Sequence, residues 1–367
     1  MKQIYRELIY LIYCSINDIL PNKKIVKKMD LNLIYKLSKY HSIDTIISAA
    51  IDKAGIKDDR FIEAHQKSIR KNILFDFERN QILQEFENNG IWYMPLKGCI
   101  LKDLYPINGM RKMADNDILF DENKRKIVNE IMLSRGYKVR TFEKSNHDVY
   151  VKEPVLNFEL HTELFSSTTS SLLNSYYKNI KKIMKKDRNN KYGYHLTDED
   201  FYIYMTAHEW KHYNSSGIGL RSLIDCYLFL CSKKDKLDLK YIEKQTKKLG
   251  IHEFEVKRKE LAIKIFSKNK LQELNDDELE MLMYYIESGT YGTYKNMIRK
   301  KLDKESKLSF LMHSIFISKE QMNVSVPFTA KSPLLYPIGL IWRCCRTMLF
   351  KKDKIKAIIK EVKNYKK

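Results

Sequence analysis

IWYMPLKGCILKDLYPINGMRKMADNDILFD, residues 91–121, contains two short apolar segments, and the second of them begins with two aspartates. Residues 91–96 and 115–120 have the length and composition of β-strands. Side chains two positions apart on a strand share a face, so Asp115 and Asp117 are expected to project together. Two carboxylates this close repel each other, and each needs a cation or a proton. The pattern predicts a divalent cation site, and Mg²⁺ fits because it takes oxygen ligands and leaves positions open for phosphates.

A third carboxylate comes from another predicted strand, VLNFELH, at residues 155–161. Its apolar residues alternate with polar ones, so one face packs inward and the other displays Glu159 with His161 beside it. Three carboxylates on neighbouring strands are the arrangement that two-metal phosphoryl transfer requires. The sequence therefore predicts that Asp115, Asp117 and Glu159 are both the metal ligands and the catalytic residues.

The turn after the first strand has the features of an anion site. Lys97 and Gly98 come between that strand and a short predicted helix, whose first N–H groups can bind an anion. A glycine here lets a phosphate approach closely, and the lysine can neutralise it. Arg111, four residues before Asp115, can hold another phosphate oxygen with its planar guanidinium. These three residues are predicted to bind nucleotide.

The rest of the chain predicts helices on both sides of the strands. Helical spacing of apolar residues covers residues 1–88 and returns near residue 198, whereas strand-like segments lie between them. We expect an α+β fold: a small mixed sheet, with four or five strands between residues 90 and 165, flanked by N-terminal and C-terminal helical segments. The predicted division is a helical segment at 1–88, an α/β core at 89–195 and a helical domain at 196–367.

The composition indicates a basic protein without a membrane segment. The 367 residues have a formal net charge of +21, which suggests a phosphate-bearing partner. Only 14 of the 67 basic residues are Arg, however, so an AT-rich coding sequence explains the lysines equally well. The six cysteines form no CxxC pair and the N-terminus has no signal-peptide pattern, which favours a cytoplasmic protein. The apolar residues 333–350 are interrupted by arginines, and core packing of a terminal helix is favoured over an amphipathic surface helix with membrane affinity.

Two further pairs of residues allow other functions. His208 and His212 are four positions apart on one predicted helix with Glu209 between them, which is the HExxH spacing that can bind zinc. Packing against Trp210 or lining a cleft is the favoured interpretation for both histidines. Arg221 and Asp225, also four residues apart, are expected to form an ion pair within a helix.

Taken in order, these segments resemble the uncharacterised nucleotidyltransferase family of the DNA polymerase β-like nucleotidyltransferase superfamily. The matching motifs, found between about residues 91 and 165, are Leu96-Lys97-Gly98, Tyr105-Pro106, Arg111 with Asp115 and Asp117, Gly136-Tyr137, and Glu159-Leu160-His161. Two positions depart from the usual pattern. Lys97-Gly98 replaces the superfamily's Gly-Gly or Gly-Ser, and Asn116 replaces an aliphatic residue between the aspartates.

The resemblance implies a transferase that moves a nucleoside monophosphate from an NTP to an acceptor hydroxyl and releases pyrophosphate. It implies Mg²⁺ or Mn²⁺ on the three carboxylates, and nucleotide binding by Lys97, Gly98, Arg111 and His161. RNA, a protein or a small molecule all remain open as the acceptor, with RNA slightly favoured by the charge. A catalytically degenerate nucleotide- or RNA-binding protein is the alternative, which the complete set of carboxylates argues against. A nuclease or phosphatase is disfavoured because the Lys-Gly turn suits a triphosphate.

Overall fold

The computed structural model describes residues 1–166, 170–350 and 352–365. Its residues form two compact units: the first contains residues 1–211 and 219–290, the second residues 212–218 and those from 291 onward. The expected α+β fold is confirmed, because a small mixed sheet is preceded and followed by helices. The division of the chain into domains at residues 1–88, 89–195 and 196–367 stays a prediction.

The sheet lies in the first unit and consists of five strands. They are β1 (Tyr93–Pro95), β2 (Asn116–Phe120), β3 (Lys138–Thr141), β4 (His147–Lys152) and β5 (Leu156–His161). Their order is β1-β2-β5-β4-β3, and β2 and β5 are parallel whereas the other neighbours are antiparallel. The expectation of four or five mixed strands is therefore confirmed. A short ribbon, β6 (Lys185–Lys186) with β7 (Tyr194–His195), follows.

Helices form the rest of the first unit. They are α1 (Gln3–Ile16), α2 (Lys23–Val26), α3 (Leu31–Tyr40), α4 (Asp44–Lys53), α5 (Asp59–Asn88), α6 (Gly98–Leu101), α7 (Arg125–Ser134), α8 (Ser171–Tyr177), α9 (Asp198–Tyr213), α10 (Leu220–Lys233), α11 (Leu239–Lys248), α12 (His252–Ser267) and α13 (Asp276–Ser288). The last two residues of α9 belong to the second unit.

One face of the sheet packs on helices α5 and α7. The buried cluster there contains Phe75, Ile82 and Phe86 from α5, Val128, Ile131 and Met132 from α7, and Ile118, Phe120, Phe158 and Leu160 from the sheet. Removing this apolar surface from water stabilises the fold by about 25 cal/mol per Å². Because side chains alternate along a strand, the other face of β2 and β5 carries Asp117, Asn157, Glu159 and His161.

Asn116 is buried on the apolar face, where both polar atoms of its side chain make a hydrogen bond. Its amide nitrogen donates to the carbonyl of Phe75 at 3.4 Å, and its oxygen accepts from Arg79 at 3.1 Å. A buried amide is tolerated only when its polar atoms find partners. The departure from the aliphatic pattern is therefore compensated by α5.

A buried polar network anchors α9. Arg258, which is 0 % exposed, donates to Glu209 at 2.8 Å and to Thr206 at 2.8 Å, and the Tyr285 hydroxyl donates to Glu209 at 2.5 Å. Glu209, between the two histidines of the zinc hypothesis, is thus engaged in a structural ion pair. Arg258 and Glu209 are buried, and each makes a further hydrogen bond. Their ion pair therefore fixes which face of α9 points into the first unit.

The second unit is helical, with a small apolar core. Its helices are α14 (Tyr294–Leu302), α15 (Lys307–Ile315), α16 (Lys319–Ser325), α17 (Tyr336–Phe350) and α18 (Lys352–Asn364), and its core contains Ile298, Leu302, Phe310 and Val362. In α17, Gly339 is the one buried residue among those described, so the prediction that residues 333–350 pack inward is wrong. Within the described residues, no helix is both long and apolar enough to cross a bilayer.

Candidate active site

The pairing of β2 with β5 brings the acidic residues together. In this parallel pair Asp117 lies opposite Glu159, so both side chains point to the face that α5 and α7 leave uncovered. His161, two residues after Glu159, shares that face, and in β4 His147 lies opposite His161. Asp115 comes one residue before β2 begins. The sequence offers no reason to place His147 here until the strand register is known.

Asp117 is the centre of the cluster. Its Oδ1 atom lies 2.8 Å from His161 Nε2 and 3.3 Å from Lys97 Nζ. Glu159 is less tightly held, because its Oε2 atom is 3.9 Å from His161 Nε2 and 4.0 Å from His147 Nε2. Asp117 is 6 % exposed, whereas the Glu159 side chain is 27 % exposed. Asp117 is therefore fixed, and Glu159 faces solvent from beside it.

The three carboxylates differ in how easily they ionise. Burial, and then the nearby Asp117 and Asp115 charges, raise the pKa of Glu159 to about 7. Burial and the Asp117 charge likewise raise the pKa of Asp115 to about 6. Burial also acts on Asp117, but Lys97 and His161 outweigh it and hold the pKa of that carboxyl below its ordinary value. Two of the three negative charges are thus unfavourable in the protein alone.

The donor set fits a divalent cation. One ligand atom each from Asp117, Glu159 and His161 lie within 4.8 Å of one another. Carboxylate oxygens are the donors that Mg²⁺ and Mn²⁺ prefer, and a cation at this point would relieve the repulsion that raises the pKa values of Asp115 and Glu159. Two members of this group, Asp117 and Glu159, are predicted metal ligands, and His161 is the third member. Metal binding by Asp115 and the identity of the ion stay predictions.

The Lys-Gly turn has an unusual backbone. Lys97 has φ of +42° and ψ of −105°, a conformation that is strained for any residue with a side chain. Such strain is often kept at binding sites, and here it accompanies the contact between the ammonium group and Asp117. Gly98 is required by packing, because an added Cβ would lie 2.9 Å from Arg111 Nη1 and 3.1 Å from Met113. Close approach of a phosphate to Gly98 stays a prediction.

Arg111 is occupied by an ion pair. Its Nε and Nη2 atoms donate to the two carboxylate oxygens of Asp225 at 2.8 and 2.9 Å, and the Tyr105 hydroxyl donates to the same carboxylate at 2.7 Å. Both charged side chains are 8 % exposed. Asp225 thus pairs with a residue 114 positions away, whereas Arg221 donates to the backbone carbonyl of Lys112 at 3.3 Å. These contacts support a structural role for Arg111 in place of the predicted nucleotide contact.

Helix α9 adds two residues that sequence reasoning missed. Burial and the neighbouring Lys97 charge lower the pKa of Lys211 to about 8, and the nearby Asp117 and Glu159 oppose that shift. Tyr204 also lies beside Lys97 and Asp117, and burial raises the pKa of its hydroxyl. Tyr204 and Lys211 are seven positions apart and therefore share a helix face. This spacing is the sequence feature that could have identified them together.

The raised pKa of Glu159 predicts a pH-dependent stability. A carboxyl whose pKa is higher in the folded than in the unfolded protein binds more protons when folded, so unfolding free energy falls as pH rises from about 4.5 to 7. Without metal, we expect Glu159→Gln to become more stable than wild type as pH increases through this range, by about 2 kcal/mol at pH 8. Urea denaturation at pH 5 and pH 8 measures the difference, and an unchanged difference would contradict the assigned pKa shift.

Comparison with known proteins gives one family match. The sequence model of a family described as uncharacterised nucleotidyltransferase matches residues 27–266, which include the whole five-stranded sheet and all the predicted site residues. No curated protein matches the chain. A crystal structure of an antigenic nucleotidyltransferase-like protein from Paracoccidioides brasiliensis is similar over 57 % of this chain and 92 % of that one, with 11 % identity and a TM-score of 0.34. A structural likeness at this level carries no argument.

Proposed function

The chain belongs to the uncharacterised nucleotidyltransferase family, as its motifs suggested, and on that premise we propose that it is a metal-dependent enzyme. It transfers a nucleoside monophosphate from an NTP to an acceptor hydroxyl and releases pyrophosphate. The observation that supports this proposal is the pairing of Asp117 with Glu159 on the open face of the sheet, with the Asp115 charge close enough to raise the pKa of Glu159.

Asp115, Asp117 and Glu159 would hold the divalent cation, Mg²⁺ or Mn²⁺. When bound, the ion supplies positive charge to the phosphates and makes the acceptor hydroxyl more acidic. Lys97 and His161 keep Asp117 ionised and fixed, because both bond to its Oδ1 atom. The carboxylate is therefore oriented before any ligand arrives, which lowers the cost of assembling the site.

The triphosphate is bound by the positive charges around Asp117. Lys97 lies at the turn after β1, and Lys211 approaches from α9, so two ammonium groups lie close enough to influence each other. That mutual repulsion is relieved by an anion between them. The pair takes over the role that the sequence assigned to Lys97 and Arg111. Binding of the nucleotide by Gly98 and His161 remains part of the proposal.

A degenerate binding protein remains the competing function. It would keep the lysines that hold a nucleotide and would have no need of three carboxylates whose charges oppose one another. Incubation with each α-³²P-labelled NTP, Mg²⁺ or Mn²⁺ and a cell extract separates the two functions. We expect label to become attached to one class of acceptor, together with metal-dependent release of pyrophosphate. NTP binding without release in any extract would favour the degenerate protein.

We expect Lys211→Gln to weaken NTP binding about tenfold, because one charge-assisted hydrogen bond to a phosphate is lost. The apparent stability should stay nearly unchanged, since removing a buried charge compensates for its lost contacts. Equilibrium titration with a non-hydrolysable NTP analogue measures the affinity. Lys240→Gln, at an exposed position of α11, is the control and should bind like wild type. Equal affinities for both variants would remove Lys211 from the site.

A further inference from the structure

A second cavity lies beside the acidic strand, among the N-terminal helices. It has a volume of about 330 Å³ and lies between α3, α4, α5 and the segment that leads into β2. Its wall includes Tyr35 and Lys39 from α3, Ser68 and Lys71 from α5, and Lys112. This volume suits a small metabolite, since ligand pockets usually measure about 300–1,000 Å³. Neither Lys97 nor any of the three carboxylates lines it, so it is distinct from the proposed metal site.

The cavity has an excess of positive charge. Two of its four lysines are neutralised, because Lys112 pairs with the buried Asp44 at 2.6 Å and Lys67 with Glu63 at 3.1 Å. The ammonium groups of the other two, Lys39 and Lys71, each lie near an aromatic ring. Lys39 Nζ lies 5.5 Å from the ring centre of Tyr35, and Lys71 Nζ lies 4.8 Å from that of Phe75.

Among the described residues, Lys39 and Lys71 form no ion pair with a carboxylate. Lys71 is also half-buried, and burial lowers its pKa. A lysine that is partly desolvated without a counter-ion favours the binding of an anion.

Two buried polar atoms in the wall have no partner within the described residues. The hydroxyl oxygen of Ser68, a residue that is 5 % exposed, makes no hydrogen bond, and neither does Oδ1 of Asp44, which is 1 % exposed. Leaving a buried polar group unsatisfied costs about 1–3 kcal/mol. The serine hydroxyl can donate to an anion, whereas the aspartate oxygen can accept a hydrogen bond from a ligand hydroxyl. The unsatisfied atoms therefore match a ligand that is both anionic and hydroxylated.

The cavity is close to the proposed site of transfer. Lys112 and Met113, in its wall, precede Asp115 by three and two residues. The Asp115 carboxylate is near enough to Lys71 to oppose the lowering of that lysine's pKa. A ligand held by its anionic group in the cavity can therefore extend a hydroxyl towards Asp115.

We propose that this cavity binds the acceptor, and that the acceptor is a small hydroxylated molecule bearing a phosphate or carboxylate group. Lys39, Lys71 and Ser68 hold the anionic group, and Asp44 accepts a hydrogen bond from a hydroxyl. A nucleic acid fits less well, because single strands bind along extended basic grooves, whereas this wall contains two carboxylates. The role as acceptor rests on the proposed transferase function; the anion site itself does not.

Binding of inorganic phosphate tests the anion site without any catalysis. Calorimetric titration of the metal-free protein should show about tenfold weaker binding for Lys71→Gln, since one charged hydrogen bond is lost. Arg70→Gln, which changes an exposed residue of the same helix, is the matched control and should bind like wild type. Wild-type affinity in Lys71→Gln, or weakening by Lys97→Gln alone, would overturn the proposal by placing the phosphate elsewhere. A parallel titration with citrate shows whether the cavity also binds a ligand that carries carboxylate groups in place of phosphate.

Label transfer then tests the role of the ligand. Wild type, Mn²⁺ and α-³²P-labelled NTPs are incubated with the small-molecule filtrate and, separately, with the macromolecular fraction of a cell extract. We expect label only with the filtrate, and its loss after phosphatase pretreatment if the anionic group is a phosphate monoester. Label only on RNA or protein would overturn the proposal. If no fraction is labelled, the proposed function fails, and the phosphate titration still decides whether the anion site exists.

Discussion

Replacing Asp115 or Asp117 with asparagine should reduce nucleotidyl transfer by about 10³-fold in both cases but change stability in opposite directions. Asp115 carries a charge that burial and Asp117 disfavour, so Asp115→Asn should stabilise the metal-free protein by about 1 kcal/mol. Asp117 is paired with Lys97 and His161, and its loss leaves a buried ammonium group without its carboxylate. Asp117→Asn should therefore destabilise the protein by about 2 kcal/mol.

Urea denaturation in the presence of EDTA measures both stability changes, and labelled NTP measures transfer. The two variants control for each other, because each removes one negative charge from the same face of the sheet. Destabilisation of equal size in both would contradict the assigned pairing of Lys97 with Asp117. Transfer that survives either substitution would remove that aspartate from the catalytic residues.

Arg111→Ala should destabilise the protein by about 3–5 kcal/mol, because it leaves the Asp225 carboxylate buried without its partner. Arg111→Lys should recover little of this loss, since a lysine cannot make the two parallel hydrogen bonds of the guanidinium. Thermal and urea unfolding measure the effect. A stable Arg111→Ala protein with weakened NTP binding would restore the nucleotide contact that the sequence predicted.

The double variant Arg111→Met/Asp225→Leu separates the ion pair from packing. Replacing both partners of a buried pair with apolar residues is often nearly neutral, so the double variant should be more stable than Arg111→Ala. Tyr105 loses its acceptor in this variant, and Tyr105→Phe in the same background shows how much that hydroxyl contributes. Additive losses of stability from Arg111→Met and Asp225→Leu would mean that the two side chains are not coupled.

The sequence predicts the strands and the acidic cluster because both depend on local patterns. Alternation with a period of two marks β2 and β5, and it also fixes which of their side chains share a face. The DxD spacing and the Glu-Leu-His motif then identify Asp117, Glu159 and His161, which the parallel pairing brings together. Knowing which side chains of β2 and β5 share a face was sufficient to group these residues, although the register between the two strands came only from the structure.

Contacts between distant segments could not be predicted in this way. Nothing in the spacing of residues relates Arg111 to Asp225, so the sequence paired Asp225 with Arg221, and its ion pair with Arg111 is known only from the structure. Lys211 comes two residues after Glu209 on α9, the helix that the buried Arg258–Glu209 pair anchors. The lysines of the second cavity come from three separate segments and form a pocket only after the helices have packed.

The claim that Glu159 completes a metal-dependent transfer site is tested most directly by pyrophosphate release. Wild type and Glu159→Gln are each incubated with NTP, Mn²⁺ and the cell-extract fraction that accepts the label. Urea denaturation establishes that the two proteins are used at equal concentrations of folded protein. We expect metal-dependent release from wild type and at least about 10²-fold slower release from Glu159→Gln, which should be folded and more stable than wild type without metal. Release by Glu159→Gln at the wild-type rate would contradict the account.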